Sequence, residues 1–563
     1  MQPLWILSRG SDNDAGFSWA DLCGSPWIAH LLQRKGFSCE DEVRSFLNPR
    51  LAGLRDPFLL EGMGEIVERV FRAIDRRERV VLFGDYDVDG VTSLALLSSV
   101  LRAYGCEAAL FLPHRIEEGY GLSAEGIGRC LKEHHPQLLI AVDCGTSSFS
   151  EIAMMRKSAV DVIVLDHHEP KSGRPDCLFV NPKLTNTDFA YLCSVGLAFK
   201  LCHALLKARR IDFDLKAALD LVALGTVADI VPLQGDNRIF VKSGSAILAR
   251  SNRPGIVKLM ETAAVKPPIM PEDIGFRLGP RLNAAGRLAT AEKALLLLLT
   301  EDEVEAERLA RELDAQNRDR QEMEKQVVLE AEQQLAQNCD LTRDAAIVLG
   351  AKNWHLGVIG IVASRISKKY HRPTFIVGFD DKGAGKGSGR GIEGFSLIAA
   401  LNECASTLEK FGGHEMAAGI SVLAQNFSRF REMFLAAAAQ QLTADALLPR
   451  LQLDAELALS DVNFDLLHWH EMLQPFGNGN PQPLFVSCQV EPAAPPRVVG
   501  ERHLALRLKQ RNWQQRAIFF DGTIAPLPQP PWDVAYRIRS DFYEGETRIQ
   551  LQVQALRAAA PFD

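Results

Sequence analysis

The 563-residue chain is short of several features that would fix its class at once. Cysteine is sparse and never paired: eleven occur singly, at 23, 39, 106, 130, 144, 177, 193, 202, 339, 404 and 488, with no C-x-x-C. The odd count and scattered spacing argue against a disulfide framework or a structural thiolate zinc site, and fit a reducing compartment such as the cytoplasm. No apolar run approaches the ~18 residues a membrane span needs. Runs such as Ala294 to Leu299 are far too short, so no membrane association is expected. The opening MQPLWILSRGSDND has no basic stretch followed by an apolar one, so no signal peptide is expected. No repeat or low-complexity tract is visible. Positive charge is not in excess either: 63 Lys and Arg stand against 71 Asp and Glu, a net of −8. Charge alone would not put the chain among nucleic-acid binders.

What is present is ordinary globular composition, 47% hydrophobic and 24% charged. At ~100–200 residues per domain the length implies roughly three to four domains. Residues 1–65 carry short helical patterns and read as an N-terminal extension packed on the neighbouring domain. Three short apolar runs then alternate with helical patterns: Val80 to Phe83, Gln137 to Val142 and Asp161 to Leu165. This is the signature of a parallel sheet covered by helices, placed at 66–299. Residues 300–338 contain no Gly or Pro and should form one long helix, capped by Thr300 with Glu303 and bridging two domains. A strand at Ala345 to Gly350, a helix at Trp354 to Tyr370 and a cluster of glycines come next, giving a smaller α/β domain at 339–430. Alternation in 504–509 and 536–539, among many prolines, predicts an antiparallel barrel or sandwich within 431–563.

The acids fall where such a sheet binds ligands. Asp85, Asp87 and Asp89 follow the first predicted strand, Asp143 the second, and Asp166-His167-His168 the third, all at carboxyl ends. Asp229 ends the apolar segment Leu219 to Val227. The D-x-D-x-D loop alone would fit a solvated turn or a calcium loop, but residue 96, where a distal Glu belongs, is Leu. Several carboxylates with histidines need positive charge, and a divalent cation supplies it most simply. Two ions about 3.5–4 Å apart are the usual solution for phosphate ester hydrolysis. His134-His135 and His468-Trp469-His470 follow no buried strand with acids nearby and read as surface or packing residues.

The motifs GDYDVDG (84–90), VDCGTSS (142–148), LDHHEP (165–170) and LGTVADIVPL (224–233) resemble those of the DHH phosphoesterase superfamily. GPRLNAAGRL (279–288), WHLGVIGIVASR (354–365), GSGRG (387–391) and FGGHEMAAG (411–419) are similar to the RecJ family within it, and the resemblance runs from about residue 28 to the C-terminus. It implies a parallel-sheet DHH domain joined by the long helix to a DHH-associated substrate-binding domain, plus a C-terminal OB-like barrel. It also implies two Mn²⁺ or Mg²⁺ ions held by Asp87, Asp89, Asp143, His167 and Asp229, with Asp85 taking part where other members carry a histidine, here Phe83. His168 would face the scissile phosphate, and Asp166 would orient a histidine.

Arg281, Asn283 and Arg287 suit phosphate contact, Arg because its planar fork donates twice. Ser388, Arg390, Gly413 and His414 are candidates for holding a terminal phosphate or the next nucleotide, because glycines let backbone N–H groups approach an anion. Arg365 is a further candidate. Residues 484–563 hold ten Lys/Arg and eight Asp/Glu, a net of +2, so the preceding 483 residues carry −10. Trp513, Phe519, Phe520, Trp532, Tyr536, Phe542 and Tyr543 interleave with them, as single-strand binding by base stacking requires. The resemblance therefore implies a 5′→3′ single-stranded-DNA exonuclease of recombination and repair. It would release nucleotides by two-metal phosphodiester hydrolysis in a cleft between the two α/β domains, too narrow for a duplex. It would work as a cytoplasmic monomer, with a helicase and a single-strand-binding protein as candidate partners. A small-substrate phosphodiesterase is disfavoured by the length, and a non-catalytic DNA-binding scaffold by the intact ligand set.

Overall fold

Five short, largely buried strands form a parallel sheet: β1 (Val80–Gly84), β2 (Ala109–Phe111), β3 (Leu138–Val142), β4 (Asp161–Leu165) and β5 (Leu178–Val180), in the order β2-β1-β3-β4-β5. They belong to a computed structural model that describes residues 3–8, 19–114, 118, 121–170, 173–185, 188–288, 290–543 and 545–560. Every residue of β1 and β3 is buried, as parallel strands covered by helices on both faces must be. β1 is flanked by β2 on one side and β3 on the other, so the strand order reverses there and a crevice opens at the carboxyl ends. Among the described residues no helix is long and apolar enough to cross a membrane.

Contacts divide the chain into two units. One holds 5–286, 290–311 and 452–563; the other holds 1–4, 287–289 and 312–451. In the first, α1 (Pro26–Gln33) and α2 (Glu40–Leu47) precede the sheet. It continues through α3 (Val88–Ala103), α4 (Ser194–Ala208), α5 (Leu219–Ala228), α6 (Gly235–Leu248) and α7 (Gly279–Leu288). The long helix α8 (Glu303–Asn338) has 36 residues, about 54 Å. It starts later than expected. Its cap is Asp302, whose Oδ1 accepts from Val304 N and Glu305 N at 2.7 and 3.2 Å, while the Thr300 hydroxyl donates to Glu305. Asp302 stands one residue before the first turn, within reach of its free amides, whereas Thr300 lies two residues further out.

The second unit has a five-stranded sheet: β6 (Ile347–Lys352), then helix α9 (Leu356–Tyr370), β7 (Thr374–Phe379), β8 (Ala384–Arg390), β9 (Lys410–Gly413) and β10 (Ala417–Leu423), ordered β9-β10-β8-β7-β6. Helix α10 (Ala424–Gln441) covers it, with Phe430 and Phe434 packed edge-on to Phe375. The boundary expected after residue 430 falls inside this helix and is corrected: the break between units comes after Leu451. The glycines of GSGRG do not form an open loop. Gly385, Gly387 and Gly389 alternate on the buried face of β8, where an added Cβ would meet Phe379 at 2.5 Å, Ile420 at 2.7 Å and Phe375 at 2.4 Å.

The C-terminal part of the first unit contains β11 (Ala455–Glu456), α11 (Phe464–Met472), β12 (Phe485–Pro492), β13 (Arg497–Val499), β14 (His503–Gln510), β15 (Trp513–Phe519), β16 (Trp532–Tyr543) and β17 (Glu546–Ala558). Strands β12, β16, β17, β15 and β14 pair in that order, and β14 pairs back to β12, closing a five-stranded OB-like barrel.

The N-terminal extension is also reassigned. Ile28, Leu32 and Val43 of α1 and α2 share one core with Leu459, Leu466, Phe485, Leu508 and Tyr536, so these helices pack chiefly on the C-terminal part. Buried Arg238 of α6 ties the parts of the unit together. Its guanidinium lies 3.7 Å from the Phe46 ring and donates to the carbonyls of Phe46, Leu473 and Gln474 at 2.8–2.9 Å. Buried ionised groups are retained only when fully hydrogen-bonded in this way.

Candidate metal centre

The site is built at the β1/β3 crevice by the turn geometry of each strand end. After β1 the chain passes into α3 through Asp87, the helix N-cap, whose Oδ1 accepts from Asp89 N at 2.9 Å and Gly90 N at 3.1 Å. Gly90 is obligatory: a Cβ would lie 2.4 Å from the Asp85 carbonyl oxygen. Asp89 lies inside the first turn of α3, and its two carboxylate oxygens accept from Ser194 N at 2.7 Å and Val195 N at 2.8 Å. Those amides open α4, so the helix's positive end faces the carboxylate. After β3, Asp143 adopts a left-handed backbone with φ of 65° and accepts from the Ser194 hydroxyl at 3.0 Å. A non-glycine residue held there is a strained feature of the kind that clusters at functional sites.

Asp229 is not at a strand end. It is the C-cap residue of helix α5, and Gly225 one turn earlier lets that helix approach Asp89 and Thr92 closely. His167 completes the set. Its Nε2 lies 3.4 Å from Asp143 Oδ1, 3.4 Å from Asp229 Oδ2 and 3.7 Å from Asp89 Oδ2. These are ion-pair distances, yet burial and the neighbouring His168 push the His167 imidazole down to about 3, so the ring is neutral. Neither of its ring nitrogens has a hydrogen-bond partner among the described residues.

The carboxylates strain against one another. Burial, then Asp87, raises Asp89 to about 7. Burial, then Asp89, raises Asp229 to about 9. Burial, then Asp87 and Asp89, lifts Asp143 well above the carboxylate range. Ligand atoms converge in three groups, Asp143 with His167 and His168, Asp89 with Cys193 and Asp229, and Asp85 with Asp87 and Asp143, each within 4.8 Å; the first and third share Asp143. Buried acids that suppress one another's ionisation around a neutral imidazole with one open lone pair are a donor set that fits divalent cations. Oxygen and imidazole donors suit Mn²⁺ or Mg²⁺. Cys193 has its thiol held far above its ordinary value by burial and then by Asp89 and Asp229, and it donates to Thr226 Oγ1.

Asp166 and His168 form a second layer. His168 Nδ1 lies 2.7 Å from Asp166 Oδ1, and Asp166 Oδ2 accepts from Thr146 N and Oγ1 at 2.9 and 2.6 Å. Burial alone would raise the Asp166 carboxyl, but His168 and Thr146 hold it well below its usual range. Burial would likewise lower His168, but the hydrogen bond and charge of Asp166 raise it. Asn181 Nδ2 ties the layer together, donating to Thr146 Oγ1 and the His168 carbonyl at 2.9 and 2.8 Å.

Of the residues expected to grip phosphate, Arg281 and Asn283 belong to the first unit and Arg287, Arg365, Ser388, Arg390, Gly413 and His414 to the second. Asn283 Oδ1 accepts from Val88 N at 3.1 Å, and Gly286 lets α7 reach the Tyr86 carbonyl, so this helix braces the Asp85–Asp89 loop. Arg281 donates to the Arg277 carbonyl at 2.7 Å. Arg390 Nη1 donates to Ser388 Oγ at 3.0 Å on the face of β8 away from its buried glycines, where α9 passes at Gly360. Gly413, with φ of 142°, turns the chain into exposed His414. Arg365 is engaged with Glu324 of α8 at 2.6 Å. Ser194, Val195, Thr146 and Asn181 were not foreseen. Three of these contacts use backbone N–H groups, which leave no residue signature; the one usable signal was the Ser194 start of an apolar helical run.

A parallel sheet that gathers aspartates and a DHH triplet at its carboxyl edge defines a DHH-type metal-binding domain. Family models agree: the DHH family, N-terminal domain matches residues 79–226, the DHHA1 domain 344–440 and the RecJ OB domain 453–555. The single-stranded-DNA-specific exonuclease RecJ of Dickeya dadantii is 35% identical, with 91% of this chain and 93% of that protein covered. That of Bacillus subtilis is 37% identical over 85% of this chain, which spans 61% of the relative's length. A crystal structure of RecJ from Thermus thermophilus in complex with Mn²⁺ superposes with a TM-score of 0.85 at 31% identity, covering 100% of this chain and 80% of that one. Its Mg²⁺ complex superposes at 0.80 and 30% identity, covering 99% and 79%. The chain belongs to the RecJ family.

Proposed function

We propose that this protein is a metal-dependent, single-stranded-DNA-specific exonuclease. In this reading it degrades 5′→3′, releasing nucleotides in recombination and repair. The observation that carries the reading is the convergence of Asp89, Asp143 and Asp229 on the neutral His167 imidazole. Asp85, Asp87, Asp89, Asp143, His167 and Asp229 would hold two Mn²⁺ or Mg²⁺ ions. When bound, the ions supply Lewis acidity to the phosphodiester and make water a competent nucleophile at neutral pH.

The protein's own groups do the rest. Helix α4 fixes Asp89 through two amides. Asp166 holds His168 by Nδ1, keeping it charged to higher pH and leaving Nε2 to donate to a phosphate oxygen. Arg281, Arg287, Ser388, Arg390, Gly413, His414 and Arg365 are the proposed phosphate and nucleotide contacts, with Asn283 bracing the aspartate loop.

The barrel supports a single-strand substrate. On the outward face of β14 and β15, Arg507 sits directly opposite Arg516, flanked by Lys509 and, on β13, Arg497. Neither Arg507 nor Arg516 has an acidic partner among the described residues. Like charges directly opposite are destabilising alone and favourable when an anion lies across them. Trp513, Phe520 and Phe542 are exposed nearby in sequence, whereas Trp532 and Tyr536 are core and Phe519 is half-buried. The side chain of Tyr543 lies outside the described residues. A digest of end-labelled single- and double-stranded DNA, with and without Mn²⁺, tests the reading. We further infer action as a cytoplasmic monomer on strands opened by a helicase and shared with a single-strand-binding protein.

A further inference from the structure

We infer that Asn478 is a positioning residue for Asp229, acting from the C-terminal part of the chain; this rests on the metal reading above. Asp87, Asp89 and Asp143 each accept hydrogen bonds that aim their carboxylates. Asp229 Oδ2 accepts none among the described residues, so its aim depends on the turn that carries it. That turn is costly. Ile230, β-branched and 70% exposed, has φ of 60°. Such a conformation persists only when the surroundings over-determine it.

The restraint comes from residues 473–480, between α11 and β12. Asn478 Nδ2 donates to the Ile230 carbonyl at 2.6 Å, and the Asn478 carbonyl accepts from Leu233 N at 2.8 Å. One residue thus clamps both ends of Ile230–Leu233. The contact is close because Gly477 and Gly479 lack side chains: a Cβ on either would meet Leu233 at 2.7 Å or Pro232 at 3.1 Å. The loop is itself fixed. Asn480 Nδ2 donates to the Leu473 and Pro475 carbonyls at 2.8 Å, and Arg238 holds Leu473 and Gln474 from the other side. The C-terminal part therefore completes the metal centre as well as presenting a barrel.

The test is Mn²⁺ binding to the full chain without DNA, read from the free-Mn²⁺ electron paramagnetic resonance signal, for the parent, Asn478→Ala and Asp229→Ala. Removing the clamp is expected to raise the half-saturating Mn²⁺ concentration about tenfold, the low end for outer partners of metal ligands. Melting temperature without metal should stay within a few degrees of the parent. If Asn478→Ala does not fold, isosteric Asn478→Asp replaces the donor by an acceptor and should give the same shift. Parent-like Mn²⁺ binding by the Asn478 variants, alongside weakened binding by Asp229→Ala, overturns the proposal. Parent-like binding by Asp229→Ala overturns the metal reading on which it rests.

Discussion

The metal centre and the barrel face use charge in opposite ways. At the β1/β3 crevice, acids are buried and crowded, and burial drives them toward neutrality until cations arrive. On β14 and β15, arginines are exposed and directly opposed. The first arrangement trades ionisation for geometry; the second trades geometry for reach. The overall net of −8 averages the two, which is why it says so little about nucleic acid.

Breaking the buried side should cost most. Asp143→Ala or His167→Ala is expected to lower exonuclease turnover at least a thousandfold while single-strand affinity, measured by fluorescence anisotropy, stays within about threefold; full turnover in either variant would refute the ligand assignment. Asp166→Asn leaves the donor set intact but loses the carboxylate that raises His168. Turnover should fall about 10–100-fold. Because a raised histidine is protonated up to a higher pH, its loss should also move the alkaline limb of the pH–rate profile to lower pH, and an unmoved limb would contradict the role of Asp166.

Much of this was legible in sequence because the ligands are rare residue types at strand ends. Asp87, Asp89, Asp143 and Asp166-His167-His168 could be placed from local pattern alone. The glycines of 385–389 could not. Their spacing looks like an anion loop, and only the rings of Phe375 and Phe379 across the sheet show that three of them make room for packing. The destination of α1 and α2 was hidden for the same reason: amphipathic helices announce a buried face but not its partner, here some 400 residues away. That shared core also makes deletion from residue 450 a poor probe of the barrel, since it would strip α1 and α2 of their support and remove Asn478 as well.

Point variants sharpen the exposed side. Arg507→Ala and Arg516→Ala should each weaken single-strand binding about three- to tenfold and reduce the salt slope by about 0.7 for each phosphate no longer neutralised, with turnover at saturating DNA unchanged. An unchanged slope would mean these arginines meet no phosphate.

A smaller effect tests buried His470 of α11. Burial, then Arg539, pushes His470 down to about 4, and neither ring nitrogen has a partner among the described residues. The unfolded chain takes the proton near its ordinary 6.5 and the folded chain resists it, so stability is full above pH 6.5 and lost as pH falls toward 4. Between pH 7.5 and 5 the loss should be about 2 kcal/mol. His470→Leu should flatten that dependence in urea unfolding, and an identical slope would show that His470 does not titrate with unfolding.

On the proposed function, the buried acids and His167 make a cation-dependent nuclease for single strands. The most direct measurement is digestion of end-labelled single- and double-stranded DNA by the parent and His167→Ala, with Mn²⁺ or with chelator. Stepwise shortening from the 5′ end is expected, only by the parent, only on single strands and only with the ion. Equal digestion in chelator, or by His167→Ala, would contradict it.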